Sequence, residues 1–204
     1  MFRIPKHIGV IPDGNRRWAK SHGLNREEGY AYGLKPGLRL LRAARESGVK
    51  ELTYYGFTVD NCKRPREQVE AFSKACIDAV NMIEKENVDL FVVGNTKSPC
   101  FPQELLPYTE RKNASDFWED AMKVNFLVNY GWEWDMKNDW ASRDIPRVDM
   151  VIRWGGMCRL SGFLPIQTVY ADFYIVKDLW PDFKEEQFEN ALKWYQEQDI
   201  TLGG

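Results

Sequence analysis

Short apolar runs recur along the chain, separated by longer amphipathic stretches. Ile8–Ile11, Leu52–Phe57, Leu90–Val93, Val124–Val128, Met150–Ile152 and Phe173–Val176 each have the length and β-branched or aromatic content of a strand. Between them, Tyr32–Glu46 places Leu34, Leu38 and Leu41 on one helical face and stops at Ser47-Gly48, and Arg66–Glu86 reads as a helix opened by Pro65. Gln103–Met122 and Lys184–Gln198 also read as helical, and the polar segment Asn129–Arg147 as an irregular connection. Strands alternating with helices call for crossover connections, because a hairpin cannot join parallel neighbours. The expected fold class is therefore α/β, a six-stranded, largely parallel sheet flanked by helices and covered on both faces.

In such sheets ligands lie beyond the carboxyl ends of the strands, so the residues trailing each apolar run carry the chemistry. After the first run comes Pro12-Asp13-Gly14-Asn15-Arg16-Arg17-Trp18, a turn with a glycine and two arginines suited to an anion. Asp13 would repel that anion unless a divalent cation stood between them, a combination that fits a Mg²⁺-bound diphosphate. A solvated turn whose aspartate caps a helix explains the same residues. After the second run, Thr58-Val59-Asp60-Asn61-Cys62-Lys63-Arg64-Pro65 offers a hydroxyl, an amide and two cations that could close over a phosphate, or simply a charged connection. After the fifth, Arg153 and Arg159 flank Gly155-Gly156, with Ser161 close by, where backbone and side chains can converge on a second anion.

The chain has 204 residues, 44% hydrophobic, with 28 Lys and Arg against 30 Asp and Glu, for a net charge of −2. One domain over residues 1–204 is expected, large enough to bury a core without staples. This balance disfavours disorder and a basic nucleic-acid binder. No run approaches the ~20 apolar residues of a membrane span, so a cytoplasmic protein without a transmembrane segment is expected. Cys62, Cys76, Cys100 and Cys158 form no CxxC pair and read as reduced thiols. His7 and His22 lack metal-ligand or triad spacing, and His7, opening the first strand, reads as structural. Neither GxxxxGK[ST] nor a strand-borne GxGxxG is present, against ATP and NAD. The aromatic fraction of 14% suits an apolar cavity as well as a core.

Taken together, these segments resemble the cis-prenyltransferase family of the undecaprenyl diphosphate synthase type. His7–Ala19 is similar to its first signature, Gly23–Tyr30 to the next, Thr58, Asn61 and Arg64-Pro65 to its mobile loop, and Asn129-Tyr130-Gly131 to a later marker. Arg153, Arg159, Ser161 and Phe163-Leu164 match its second diphosphate segment, and Trp180-Pro181-Asp182-Phe183 its closing motif. The resemblance implies a homodimer with an apolar substrate tunnel. It implies Mg²⁺ held by Asp13, with Asp172 assisting, and an allylic diphosphate bound by Gly14, Asn15, Arg16, Arg17, Trp18, Arg26, Tyr30 and Arg64. Thr58 and Asn61 would assist departure or proton transfer, and Arg153, Arg159 and Ser161 would bind isopentenyl or dimethylallyl diphosphate.

The chain departs from the family pattern at several of these positions. Tyr30 stands for a usual histidine, Arg16 for a glycine, Cys62 for a tryptophan and Asp172 for a glutamate, while Met157 and Cys158 replace acidic and polar residues. Trp154 adds bulk beside Arg153. These departures imply a short or irregular product, as in enzymes of the cyclolavandulyl type. Regular elongation with isopentenyl diphosphate, cyclase-like action on a longer prenyl diphosphate and a non-catalytic partner subunit are the alternatives.

Overall fold

The computed structural model describes residues 3–111 and 121–199. Six strands form one sheet: β1 His7–Ile11, β2 Glu51–Thr58, β3 Val88–Val93, β4 Met122–Tyr130, β5 Met150–Arg153 and β6 Asp172–Ile175. The order is β3-β4-β2-β1-β5-β6, and every neighbouring pair is parallel. All six carboxyl ends therefore share one edge of the sheet, and β1, at its middle, brings Asp13 to the centre of that edge.

Side-chain alternation along the strands divides the interior in two. Ile8, Val10, Leu52, Tyr54, Leu90, Val92, Val124, Phe126, Met150 and Ile152 face one core, and Ile11, Tyr55, Phe91, Val93, Leu127 and Val151 the other. The long helices gather on the first face: α3 Leu34–Glu46, α4 Arg66–Ile83 and α6 Glu185–Gln196 bury Leu40, Leu41, Cys76, Val80, Phe188 and Ala191 there. The second face is covered by connections, through Ile145, Val148, Phe163 and Leu164. A register shift in the β2–β4 pairing between Tyr55 and Thr58 returns Phe57 to the first face.

Several expected elements change on folding. The Tyr32–Glu46 helix is interrupted at Gly33, with a one-turn helix α2, Gly29–Tyr32, ahead of α3. Of its expected face, Leu41 is buried in the core, while Leu34 and Leu38 line a cavity, Leu38 also packing against that core. Gln103–Met122 is not one helix: Gln103–Tyr108 is a 3-10 turn containing Pro107, and Met122 already belongs to β4. The rest of that expectation lies largely outside the described residues. The Asn129–Arg147 connection carries a helix, α5 Trp132–Lys137. His7 is structural as expected, buried with Nε2 2.7 Å from Thr53 Oγ1. No helix among the described residues is long and apolar enough to cross a membrane.

Candidate functional site

A cationic cavity of about 710 Å³ opens at the carboxyl edge of the sheet. It collects residues from three separate strand ends: Asp13 to Arg17 after β1, Thr58 to Arg64 after β2, and Arg153, Arg159 and Ser161 at and after β5. Arg26 and Tyr30 complete it from the segment ahead of α3.

Asp13 sits between two of these groups. Arg153 donates from Nη2 to its Oδ2 at 2.8 Å, and Arg17 stands 3.6 Å from its Oδ1. Arg153 is 4% exposed, and its other terminal nitrogen donates to Ser161 Oγ at 3.0 Å and to the Arg159 carbonyl. One guanidinium thus holds the β1 and β5 loops together. Backbone geometry permits this approach. Gly14 adopts φ 115° as the residue before α1, Asn15–Ser21. Gly155 adopts φ 88°, and a Cβ there would lie 2.4 Å from Arg17 Nη2 and 3.0 Å from the Asp13 carbonyl. Arg17 Nη2 instead donates to the Gly155 carbonyl at 2.9 Å.

The Thr58 loop is a single 3-10 turn over Val59–Lys63, closed by a reciprocal cap: Thr58 Oγ1 accepts from Asn61 N at 3.3 Å, and Asn61 Oδ1 accepts from Thr58 N at 3.1 Å. The Thr58 hydroxyl and the Asn61 amide nitrogen keep their donor capacity toward the cavity. Arg64 Nη1 donates to the Tyr30 hydroxyl at 2.9 Å. Burial lowers the pKa of Arg64 and raises that of Tyr30, although the arginine beside it pulls Tyr30 the other way.

Two residues expected at the site lie elsewhere. Asp172 opens β6 level with Met150, whereas Arg153 closes β5 level with Ile11. In a parallel sheet that separates Asp172 from the edge carrying Asp13 by three residue steps, about 10 Å of strand, so the structure does not bring Asp172 to the Asp13 carboxylate within one chain. Its surroundings are Arg3 and Asp149. Trp18 points away from the cavity, with Nε1 donating to Asp182 Oδ1 at 2.7 Å and its ring stacked 4.0 Å from His22. Trp154 does not add bulk beside Arg153. It is fully buried on the helical face, donating to Gln187 Oε1 at 2.9 Å and packing edge-on against Trp180. Period-two alternation carried one residue past β5 already separates the two side chains.

Sequence reading also missed cavity residues. Lys20 lines the wall and follows Arg16 by four positions on α1, a spacing that signals a shared helix face. Asp60 lines it from the loop after β2, and Tyr55 and Phe72 line it without a local signal to mark them. The closing motif proves to be scaffolding: Trp180 N donates to the Asp13 carbonyl at 3.0 Å and its indole to the Gly33 carbonyl at 2.9 Å.

The donor set can be tested against Mg²⁺. Among the described residues no three His, Cys, Asp or Glu side chains stand together, and Asp60, the cavity's other carboxylate, is paired with Lys63 at 2.7 Å. One carboxylate is too little to hold the ion by itself. It is sufficient when phosphate oxygens and water complete the octahedron, which is how Mg²⁺ is commonly held. The residues therefore fit Mg²⁺ arriving with a diphosphate.

Beside the cationic cavity lies an apolar one of about 80 Å³ under α3 and α4, lined by residues including Leu34, Leu38, Ala75, Cys76, Ala79 and Met82. Arginines from separate loops, a central carboxylate and an adjoining apolar recess are the chemistry that a phosphorylated molecule with a hydrocarbon tail would require. Comparison with known proteins narrows this class. The family model for putative undecaprenyl diphosphate synthases matches residues 11–143 and 136–203. The undecaprenyl diphosphate synthase of Yersinia pseudotuberculosis, named as specific for (2E,6E)-farnesyl diphosphate, is 33% identical over 99% of this chain and 91% of its own. An isoprenyl transferase of Fusobacterium nucleatum is 32% identical over 98% and 96%. Lavandulyl diphosphate synthase from Lavandula x intermedia, solved with dimethylallyl diphosphate, shares the fold, with a TM-score of 0.79 at 22% identity over 98% and 99% of the two chains. The chain belongs to the undecaprenyl diphosphate synthase family, the cis-prenyltransferases, and is a prenyltransferase. The two stretches of the family match meet at residues 136–143, within the connection between β4 and β5.

Proposed function

We propose that this chain, as one catalytic unit, is a Mg²⁺-dependent enzyme that ionises an allylic diphosphate and joins it to a second five-carbon diphosphate, releasing a short or irregular isoprenoid. The observation that carries this is the contact of Asp13 with Arg153, which unites the two anion-binding loops in one cavity. The apolar recess adjoining the cationic cavity supports a hydrocarbon tail on that substrate.

In this reading Arg16, Arg17 and Arg26, with Gly14 and Asn15, hold the allylic head group, and Arg153, Arg159 and Ser161 the other diphosphate. Mg²⁺ bound with the substrate at Asp13 supplies charge neutralisation on the leaving diphosphate. The allylic carbon–oxygen bond breaks with its electron pair on oxygen, where the arginines and the Thr58 and Asn61 donors stabilise the growing charge. The alkene of the second molecule attacks the electron-poor carbon, and a proton is lost from the coupled product to a base.

Dimethylallyl diphosphate, the ligand of the lavender enzyme, is the first substrate to test. Incubation with dimethylallyl, geranyl or farnesyl diphosphate, each with and without isopentenyl diphosphate and Mg²⁺, followed by mass spectrometry, is the deciding experiment. A ten-carbon product from dimethylallyl diphosphate alone is expected. Regular elongation is the second reading, favoured by the intact Arg153–Ser161 bond and by the absence of Trp154 from the cavity; it requires isopentenyl diphosphate in every productive mixture. A homodimer also belongs to this proposal. The segments that cover the second sheet face expose Trp132, Met136, Ile166, Val169 and Tyr170, apolar surface that a second copy would bury.

A further inference from the structure

The cationic and apolar cavities share six lining residues, Pro12, Asn15, Tyr30, Tyr55, Gly56 and Phe72, which together form the neck between them. Pro12, Asn15 and Gly56 are small. Tyr55 is tied to the far side of the site by its hydroxyl, which donates to the Ser161 carbonyl at 2.9 Å. The remaining two, Tyr30 on α2 and Phe72 on α4, lie face to face, with ring centroids 4.4 Å apart and 4° between their planes. Phe72 meets Phe57 edge-on at 5.0 Å, which anchors the pair in the core. Arg64 closes the other side, donating to the Tyr30 hydroxyl at 2.9 Å with its guanidinium 5.8 Å from the Phe72 ring centre.

We propose that the stacked Tyr30–Phe72 pair, latched by Arg64, is the element that selects the allylic tail, favouring a five-carbon chain over ten- and fifteen-carbon ones. The inference rests on the reading that an allylic diphosphate binds with its head in the cationic cavity and its tail in the apolar one. A tail must pass the neck to leave the head-group cavity. Widening the neck for a longer tail means displacing one of the two rings, which stacking and the Arg64 bond both resist. Arg64 lines the head-group cavity as well. A bound diphosphate therefore draws on the same side chain that holds Tyr30, and head-group capture is linked to tail length at one residue.

The test measures binding, so that it does not depend on turnover. Calorimetry with dimethylallyl, geranyl and farnesyl thiolodiphosphates, which cannot readily ionise, in Mg²⁺ buffer would be run on the wild type, Phe72→Ala, Tyr30→Ala and Phe72→Leu, the last keeping the core filled should the alanine variants fail to fold. The wild type is expected to prefer the five-carbon analogue over the fifteen-carbon one by about tenfold or more, and the folded variants to shift that ratio by about tenfold toward the longer tail. A wild type that binds the fifteen-carbon analogue as tightly as the five-carbon one, or a ratio unmoved in every folded variant, overturns the proposal. A shifted ratio in a protein that forms no condensation product upholds the neck and overturns the catalytic reading. No binding of any analogue overturns both.

Discussion

Arg153 donates to the Asp13 carboxylate at 2.8 Å and so joins residues 140 positions apart in the chain. The contact exists because β1 and β5 are parallel neighbours, with Ile11 level with Arg153. It places a cation against the carboxylate proposed to meet Mg²⁺. A guanidinium with five N–H donors can turn from that carboxylate to a diphosphate oxygen while keeping its bond to Ser161.

Asp13→Ala removes the cavity's central carboxylate and leaves a buried arginine without its acidic partner. Diphosphate release from dimethylallyl diphosphate in Mg²⁺ should fall roughly 100- to 1,000-fold. Undiminished turnover by a folded variant would contradict the assignment of Asp13.

Arg153→Lys keeps the charge but cannot reach Asp13, Ser161 and the Arg159 carbonyl together from one planar fork. The KM for the second diphosphate should rise by about tenfold or more, while that for the allylic substrate changes less. Steady-state kinetics with each substrate varied in turn checks this, and an equal rise in both would argue against separate head-group sites.

Gly155→Ala places a methyl group 2.4 Å from Arg17 Nη2 at a backbone φ of 88°. The left-handed conformation alone should cost about 1–2 kcal/mol, seen as a lower denaturant midpoint. Displacement of Arg17 should also weaken allylic diphosphate binding. Unchanged affinity would mean that Arg17 does not contact the head group.

His7 titrates below the ordinary histidine range because burial disfavours its charged form, which Glu51 and the Arg147 carbonyl only partly offset. The unfolded chain therefore binds more protons than the folded one between the two pKa values. This contribution to stability is full above about pH 6.5 and declines as pH falls toward the folded value, by about 1.4 kcal/mol for each unit of depression. Urea melts at pH 7.5 and 5.5 should show a larger drop for the wild type than for His7→Gln, and equal drops would place the pH dependence elsewhere.

Local pattern alone determined the six strand segments, the parallel sheet and three clusters of chemistry, because apolar periodicity and the glycines and arginines trailing each run are properties of neighbouring residues. Asp13, Arg17, Arg64, Arg153, Arg159 and Ser161 were legible for that reason, and the cavity gathers all of them. Tertiary structure decided what depends on distance across the fold. The strand order β3-β4-β2-β1-β5-β6 sets β5 beside β1 and so makes Arg153 the partner of Asp13. Packing paired the indole N–H of Trp154 with Gln187 and turned that of Trp18 toward Asp182. The neck of Tyr30 and Phe72, from two helices 42 residues apart, carried no signal in the sequence. A residue's neighbours along the chain set its conformation, but the ring it stacks against is set by how whole elements pack.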